Sequence, residues 1–438
     1  MWFRYVPDHH YLPYIFYFIV IFSLIIHIYI RLSYGFWYHQ PVFHYYDWRY
    51  YLFPCGIIEH DLPEKNRYTN LKDIDTITFD KLLSQKYKLQ DFVFLIQQHY
   101  MKQGDSGFLP KEENIVPYFT GHNSSCFFSF YYCDEILQDV PCKSNNNSVA
   151  NISGSGSGSA ALSFITTKQV LGVMTTRPLQ VMIRNGKKNV KNNGMDAWNY
   201  FSAYYVDYLC VKKTHRKKGT AAQIIQTHHY NQRRANLKIH VSLFKREGQL
   251  TGIVPLCKYM TYGFSMETWF KSPPMDIAFK IIKCTGHNVR FLLDFMKETR
   301  TAFDICIGPE LSNMLELIKT ENVYVYILMD TINDCVLAAY FFRKVCTYVE
   351  KGKEYLSLFA SICKTEKSTF VDGFYSALNA TIPKTEFHYL SIENISHNDY
   401  ILDKIREKYK PINEIPMAYF FYNFAYASFY PVKVFVLT

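Results

Sequence analysis

A long apolar run near the start of the chain most constrains how this sequence can fold. Residues 12–30 (LPYIFYFIVIFSLIIHIYI) contain no Asp, Glu, Lys or Arg. With a rise of about 1.5 Å per residue, a helix of this length nearly spans the hydrocarbon core of a bilayer. A cleaved signal peptide is less favoured, because only Arg4 precedes the run and no small-residue cleavage site follows it. The run predicts a membrane anchor, with a buried core helix as the alternative.

The cysteines bear on the compartment of the main body. There are 11 of them, an odd and scattered set without a CxxC pair or a zinc-like spacing with His. This pattern favours free thiols in a reducing compartment and no metal site. We therefore expect a single-pass membrane protein whose main body is cytosolic.

Composition limits the class of the main body. The 438 residues are 49% hydrophobic and 18% aromatic, with 19 Gly and 17 Pro, which excludes a disordered or collagen-like chain and a small disulfide scaffold. A net charge of +10 favours anionic partners, such as a phosphate-bearing cofactor, acidic lipid or nucleic acid. No nucleic-acid module is recognisable, so a nucleic-acid role has little support.

Strand and helix patterns alternate before and after about residue 285, which predicts two α/β halves. The low-complexity stretch 143–159 (KSNNNSVANISGSGSGS) predicts a flexible loop. The predicted strands are 161–166, 170–176, 179–183, 200–212, 322–329 and 336–342, and the predicted helices are 92–100 and 370–378.

The stretch 205–226 (YVDYLCVKKTHRKKGTAAQIIQ) carries the clearest functional signal. A β-rich run ends, a basic turn follows, and a helix begins near Thr220. Glycine and small residues at a helix start let backbone N–H groups approach a phosphate. The turn resembles the R/Q-x-x-G-x-G/A pyrophosphate loop of the GNAT acyltransferase superfamily, although an ordinary basic turn remains the alternative. The residues concerned are Arg216, Lys217, Lys218, Gly219, Thr220 and Ala221.

This stretch and four others resemble one branch of that superfamily, protein N-myristoyltransferase. Residues 205–221 follow the family's E-I-N-F-L-C-V-H-K-K-L-R-S-K-R-V-A, and 34–42 (YGFWYHQPV) follow its Y-x-F-W-x-T-Q-P-V. Residues 170–178 (VLGVMTTRP) are similar to its L-V-G-F-I-S-A-I-P. Residues 257–259 (CKY) and 432–438 (VKVFVLT) are similar to its C-R-Y and its chain end E-K-V-G-L-V-L-Q. The resemblance covers residues 34–438 in order.

This resemblance implies an α/β (α+β) tandem GNAT-like acyl-CoA N-acyltransferase fold, preceded by the transmembrane helix. The N-terminal tail would be 1–11 and the anchor 12–30. The half at 34–270 would bind acyl-CoA, and the half at 271–438 would complete a peptide groove. The implied reaction transfers a myristoyl group from myristoyl-CoA, a co-substrate, to the N-terminal glycine amine of a protein.

The resemblance also implies roles for individual residues. The backbone N–H groups of Tyr208 and Leu209 would form the oxyanion hole, and the carboxylate of Thr438 would accept the proton of the glycine ammonium. Acyl-CoA would contact Tyr34, Phe36, Trp37, Cys210, Val211 and the turn Arg216, Lys217, Lys218, Gly219, Thr220 and Ala221. The acceptor peptide would contact Tyr100, Asp105, Asp207, Ser242 and Glu393.

Departures from the family predict an altered peptide preference. Asp207 stands where the family has Asn, and Ser242 stands near its peptide-strand Thr. The family's acidic Y-V-E-D-D-D becomes YMKQGD at residues 100–105, so a basic substrate residue is less favoured. Two alternatives stay open: another GNAT enzyme that uses a shorter acyl-CoA, and a catalytically silent acyl-CoA-binding membrane protein.

Overall fold

A computed structural model describes residues 11–52, 55–101, 107–136, 166–184, 198–248, 252–267, 269, 275–350, 352–381 and 387–438. The predicted insert at 143–159, nearly all of the predicted strand at 161–166 and the candidate peptide residue Asp105 lie outside these ranges.

Ten helices and seventeen strands occur in the described ranges. The helices are α1 Leu12–Ser33, α2 Trp48–Leu52, α3 Phe79–Ser84, α4 Lys86–His99, α5 Glu112–Phe119, α6 Thr220–Ala235, α7 Val289–Thr299, α8 Leu311–Lys319, α9 Lys367–Thr381 and α10 Asn398–Lys408. The strands are β1 Gly56–Ile57, β2 Ile74–Thr78, β3 Gly107–Phe108, β4 Phe127–Ile136, β5 Thr166–Arg184, β6 Trp198–Val211, β7 Val241–Glu247, β8 Cys257–Ser265, β9 Phe279–Lys283, β10 Ile305–Gly308, β11 Val323–Asp330, β12 Cys335–Glu350, β13 Lys353–Cys363, β14 Phe387–Glu393, β15 Asn413–Tyr422, β16 Phe424–Ala425 and β17 Val434–Val436.

Helix α1 contains the apolar run that predicted an anchor. Its span Pro13–Leu32 is long and apolar enough to cross a membrane, judged by length and composition. Apart from Ile30, its described apolar side chains are exposed, so the helix is not a core helix of the folded body.

One large mixed sheet joins the two halves of the chain. Its main path is β17-β10-β5-β6-β7-β15-β8-β14-β13-β12-β11-β9, with β4 and β2 beyond β5 and β3 beside β12. The late strands β10 and β17 extend the sheet next to β5, and the late strand β15 lies between β7 and β8. The structure is therefore mixed α/β, as predicted. The division at residue 270 stays a prediction.

The helices bury their apolar sides against this sheet. Helices α3 and α4 pack on β4 and β5. Helices α7 and α8 pack on one face of β11 and β12, α9 packs on the other face of these strands, and α10 packs on β13 and β14. Burial of this apolar surface is the main favourable term in folding. The predicted helices at 92–100 and 370–378 fall within α4 and α9, apart from residue 100 just after α4.

Strand β5 corrects one prediction. The sequence indicated two strands separated near Pro178, but β5 runs unbroken from Thr166 to Arg184. Proline lacks a backbone N–H and normally interrupts a ladder. Here β4 pairs as far as Thr176 and β10 begins pairing at Gln180, so Pro178 occupies the unpaired gap between them. The missing donor therefore leaves no partner unsatisfied on that side.

The parallel strands β6 and β7 separate, and this separation positions the candidate site. They pair only between Ala203–Val206 and Val241–Phe244, although β6 continues to Val211. On its other side β6 bulges, because Met174 pairs with Leu209 and Thr176 with Val206. Asp207 and Tyr208 together therefore oppose the single residue Thr175. Such a bulge turns side chains and backbone groups toward a neighbouring opening.

Candidate functional site

A cavity of about 700 Å³ lies where β6 and β7 separate. It brings together residues that the sequence placed in three different roles. The predicted site residues that line it are Trp37, Tyr100, Asp207, Tyr208, Leu209, Ser242, Glu393 and Thr438. Such convergence of polar groups on one concave, largely apolar space is typical of a ligand site.

The other predicted residues lie next to this cavity or away from it. Cys210 and Val211 are buried side chains that pack in the core, and burial raises the pKa of the Cys210 thiol to about 12. A thiol in this state is not nucleophilic at neutral pH, which agrees with a packing role. Tyr34 and Phe36 follow helix α1, and Phe36 contacts Trp37 edge to face at 5.1 Å.

The basic turn forms an open helix start. Arg216, Lys217, Lys218 and Gly219 are exposed, and Gly219 has φ 77°, a value that suits glycine, immediately before α6 begins at Thr220. The first turn of α6 contains no acidic residue. Its unpaired backbone N–H groups and the positive end of the helix dipole favour an anion there.

Arg216 also has a structural task at this turn. Its Nε donates to the carbonyl of Val211 at 3.0 Å, and a terminal nitrogen donates to the carbonyl of His99. The side chain thus ties the turn to the end of β6 and to helix α4. Lys217 and Lys218 make no such side-chain hydrogen bonds within the described ranges. Their charges are therefore more available than that of Arg216 for binding a phosphate.

Thr438 lies inside the protein next to the cavity. Strand β17 pairs in parallel with β10, and the N–H of Leu437 continues this ladder by donating to Ile307 at 2.8 Å. Arg343 donates to the main-chain oxygen of Thr438 at 2.6 Å, and the Thr438 hydroxyl lies 3.2 Å from that of Tyr419. A segment paired and bonded in this way does not fray.

Glu393 is the centre of a second cluster on the cavity wall. Its Oε1 accepts from Lys245 at 2.8 Å and from Arg343 at 3.0 Å, and its Oε2 accepts from Tyr259 at 2.7 Å. Burial would raise the pKa of this carboxyl, but Lys245 and Arg343 outweigh burial and hold the pKa below its ordinary value. The predicted peptide contact Glu393 is thus already saturated by protein groups.

Asp207 forms a different ion pair at the bulge of β6. Arg177 donates from Nε to both carboxylate oxygens, at 3.1 and 3.0 Å. The Arg177 side chain is fully buried, and neither of its terminal nitrogens has a hydrogen-bond partner among the described residues. Burial raises the pKa of Asp207 despite the opposing charges of Arg177 and Arg343.

The predicted oxyanion donors are only partly available. The N–H of Tyr208 already donates to the Thr175 hydroxyl at 3.2 Å. An oxyanion would therefore share this N–H with Thr175 or displace it. The roles of Tyr208 and Leu209 stay predictions.

Another arm of the cavity runs between the start of the body and helix α6. Trp37 stacks on Phe244 with ring centroids 6.0 Å apart, and Ile225, His229 and Gln232 face the same space. Burial lowers the pKa of His229 to about 3, so its ring is neutral at pH 7. The rings of Trp37 and Phe244 give this arm an apolar side, and His229 and Gln232 give it a side that is polar but uncharged.

Sequence reasoning missed four residues that shape the site: Arg177, Lys245, His229 and Arg343. The three cations share one feature that is visible in the sequence: each is a charged residue within a largely apolar strand pattern. Unpaired charges are rarely buried, so such a residue indicates a buried partner without saying which one. His229 lies in helix α6, where its cavity position has no distinctive sequence pattern.

Comparisons with known proteins gave matches in structure only. No protein-family profile and no curated protein matches the sequence. Two structures of Saccharomyces cerevisiae N-myristoyltransferase with bound myristoyl-CoA match with TM-scores of 0.64 and 0.66, each at 11% identity. They cover 91% and 92% of this chain and 94% of theirs. A third, with myristoyl-CoA and inhibitors, matches with a TM-score of 0.65 at 11% identity, over 94% of this chain and 97% of its own. The predicted resemblance is thus confirmed at the level of structure: this chain has the N-myristoyltransferase fold.

Proposed function

We propose that this protein transfers a long-chain acyl group, such as myristoyl, from acyl-CoA to the N-terminal glycine amine of a protein. The observation that carries the proposal is the position of Thr438. Arg343 holds its main-chain oxygen on the wall of the cavity that Tyr208 and Leu209 also line. A carboxylate fixed there would face an acceptor amine and a thioester that meet in this cavity.

Each part of the site has a task in this reaction. The CoA phosphates would bind at Lys217, Lys218 and the start of α6, where charge and backbone donors favour anions. The acyl chain would enter the arm between Trp37 and α6. No nucleophilic side chain is required, because the thioester is already activated.

The chemistry follows from these positions. The Thr438 carboxylate accepts a proton from the glycine ammonium, which frees the lone pair of the nitrogen. The nitrogen attacks the thioester carbon, and the developing oxyanion is stabilised by the N–H groups of Tyr208 and Leu209. The nitrogen then loses its second proton, the C–S bond breaks, and coenzyme A leaves as the thiol.

The direct test incubates the full chain with a peptide that begins with glycine and with acetyl-, octanoyl-, myristoyl- or palmitoyl-CoA. The mass of the product identifies the acyl group, and the same peptide with a blocked N-terminus is the matched control. Transfer of myristoyl to the free peptide alone supports the proposal. Transfer of acetyl without myristoyl would contradict it and favour a short-chain GNAT enzyme.

One observation favours a second candidate, a catalytically silent acyl-CoA-binding protein of the same fold. The N–H of Tyr208 is engaged by Thr175. This candidate would be supported if the protein binds myristoyl-CoA tightly but forms no acylated product with any peptide. Adding a few residues after Thr438 separates the two further, since it abolishes transfer only if the terminal carboxylate takes part.

We also propose that α1 anchors the body to a membrane, with the body on the cytosolic side, where acyl-CoA is available. Its exposed apolar surface supports this proposal. Full-length protein should float with lipid vesicles, and a variant without residues 1–33 should not. Protease protection of the body in sealed vesicles from cells would contradict the cytosolic orientation.

A further inference from the structure

Acyl transfer to an ammonium group requires the nitrogen to lose two protons. One leaves before the nitrogen attacks, and the second leaves after attack, when the nitrogen of the tetrahedral intermediate is positively charged. The departing sulfur in turn gains a proton. In a cavity walled by buried groups, a second proton acceptor next to the reacting carbon would serve both later steps.

In the proposed reaction, Asp207 would stand at such a place. The bulge of β6 turns its side chain toward the cavity, where 11% of it is exposed. It immediately precedes Tyr208 and Leu209, the predicted donors to the oxyanion. Thr438 follows strand β17, whereas Asp207 belongs to β6. The carboxylates of Thr438 and Asp207 therefore lie on different walls of one cavity.

Arg177 holds Asp207 from inside the protein. Its Nε contacts both carboxylate oxygens, and its guanidinium lies 5.4 Å from the ring centre of Tyr118 and 5.3 Å from that of Tyr205. A fully buried guanidinium between two rings has few rotamers available. It therefore fixes the direction of the carboxylate without lining the cavity itself.

The pair also coincides with two departures from the family motifs. In the aligned stretches, the family has Ile where this chain has Arg177, and Asn where it has Asp207. The structure places these two departures in direct contact. A buried charge is tolerated when it is paired, so each substitution makes the other acceptable.

The charged and titratable groups that face Asp207 come from several elements. Arg177 and Arg343 favour the carboxylate, whereas burial favours the neutral acid and raises the pKa above the ordinary value. Thr438 supplies another carboxylate of this cavity. The neighbouring tyrosines and one thiol are neutral at pH 7 because burial raises their pKa: Tyr100, Tyr118, Tyr205, Tyr208 and Cys126. A carboxyl with a raised pKa holds a proton more readily than an ordinary one and can then give it to a departing group.

We propose that Asp207 is a second catalytic carboxylate, which takes the proton that the nitrogen loses after attack and delivers it to the departing sulfur, and that Arg177 is its positioning residue. This inference rests on the proposed function. Thr438 takes the first proton, which passes to solvent. Asp207 accepts the second as the N–C bond is completed, and the C–S bond then breaks with transfer of that proton to sulfur. The products are an amide, neutral coenzyme A thiol and one released proton, so atoms and charge balance.

The test uses Asp207→Asn in the full chain, with Asp80→Asn, an exposed carboxyl on α3, as the matched control. With myristoyl-CoA and a glycine peptide, we expect kcat to fall about 100-fold or more in Asp207→Asn, with the peptide KM changed less than about threefold. In wild type, kcat should fall at acidic pH as Asp207 becomes protonated, and this fall should be absent from the pH profile of Asp207→Asn. A myristoyl aryl thioester, whose leaving group needs no proton, should restore most of the lost rate.

Because Asp207→Asn leaves Arg177 buried without a counter-ion, the double variant Arg177→Ile/Asp207→Asn is measured beside it. It removes both charges and should show the same loss of kcat while remaining folded. An unchanged kcat in an active, folded variant would overturn the inference, and so would a raised peptide KM with normal kcat, which indicates binding only. A wild type that binds myristoyl-CoA but never forms product would instead contradict the proposed function itself.

Discussion

Two arginine–carboxylate groups lie on the same cavity and differ in how completely they are paired. Glu393 accepts from Lys245, Arg343 and Tyr259, so both of its oxygens are used by protein groups. Asp207 has Arg177 alone, through one nitrogen, and its side chain still reaches the cavity.

The difference shows in the pKa of each carboxyl. Both side chains are largely buried, but two cations hold the pKa of Glu393 below its ordinary value, whereas burial prevails at Asp207 and raises its pKa. Glu393 is therefore a fixed anion that joins β7, β12 and β14 and, through Arg343, secures Thr438. Asp207 can change its protonation state. The number of partners, more than the residue type, separates a structural carboxylate from a reactive one.

The largest effect on stability is expected from Glu393→Ala. It leaves the side chains of Lys245 and Arg343 as neighbouring, largely buried cations without their shared anion. We expect the free energy of unfolding to fall by about 3–5 kcal/mol, measured by urea denaturation. The control is Glu407→Ala, which removes an exposed partner of Lys404 and should cost less than about 1 kcal/mol. Similar losses in the two variants would mean that Glu393 is not the centre of its cluster.

A smaller loss is expected from Arg177→Ile. It leaves the carboxylate of Asp207 buried and unpaired, but that group can take up a proton, which limits the cost to about 3 kcal/mol. Adding Asp207→Asn should recover most of the loss, because the double variant has no buried charge. Urea denaturation of the two single variants and the double variant gives the coupling energy. Additive losses would contradict a coupled pair.

The fold was predictable from sequence where local patterns are strong. The strand, basic turn and helix of 205–226 became β6 and α6, because alternating apolar residues, a Gly at positive φ and a helix start agree there. The break predicted at Pro178 was wrong, since only the register of β4 and β10 shows that its missing N–H faces a gap.

The sequence predicted which residues would form the site better than it predicted which of them would pair with one another. Residues along the family motifs gather in the cavity. The pairing of Arg177 with Asp207, or of Arg343 with Glu393, joins strands far apart in sequence, and no local pattern encodes such long-range registers. The bulge at Asp207 is also invisible in the sequence, because it arises from how β5 and β6 pair.

Lowering the pH should change the contributions of Glu393 and Asp207 to stability in opposite directions. Glu393 has a lowered pKa in the folded chain, so its contribution to stability is full above the unfolded value of 4.5 and is lost as the pH falls through the folded pKa. Asp207 has a raised pKa, so its ionised form costs stability, and this cost disappears as the pH falls toward the unfolded value of 3.8.

As the pH falls through the folded pKa of Asp207 toward 3.8, wild type should therefore gain stability relative to Asp207→Asn. Below pH 4.5 it should lose stability relative to Glu393→Gln. Urea midpoints of the three proteins across this range provide the measurement. Differences that change in the same direction for both variants would show that the two carboxyls do not differ as described.

The smallest expected effect is that of Tyr259→Phe, and it tests whether the Glu393 cluster depends on its cations or on its full set of partners. The change removes the hydrogen bond to Oε2 and leaves Lys245 and Arg343 on Oε1. A hydrogen bond to a charged group contributes about 1.5–3 kcal/mol, and the retained cations should keep the loss near the lower value. Tyr355→Phe, which removes a neutral contact with Asn413, is the control and should cost less than about 1 kcal/mol. A loss from Tyr259→Phe as large as that from Glu393→Ala would mean that saturation of both oxygens, and not the paired charges, makes Glu393 a fixed anion.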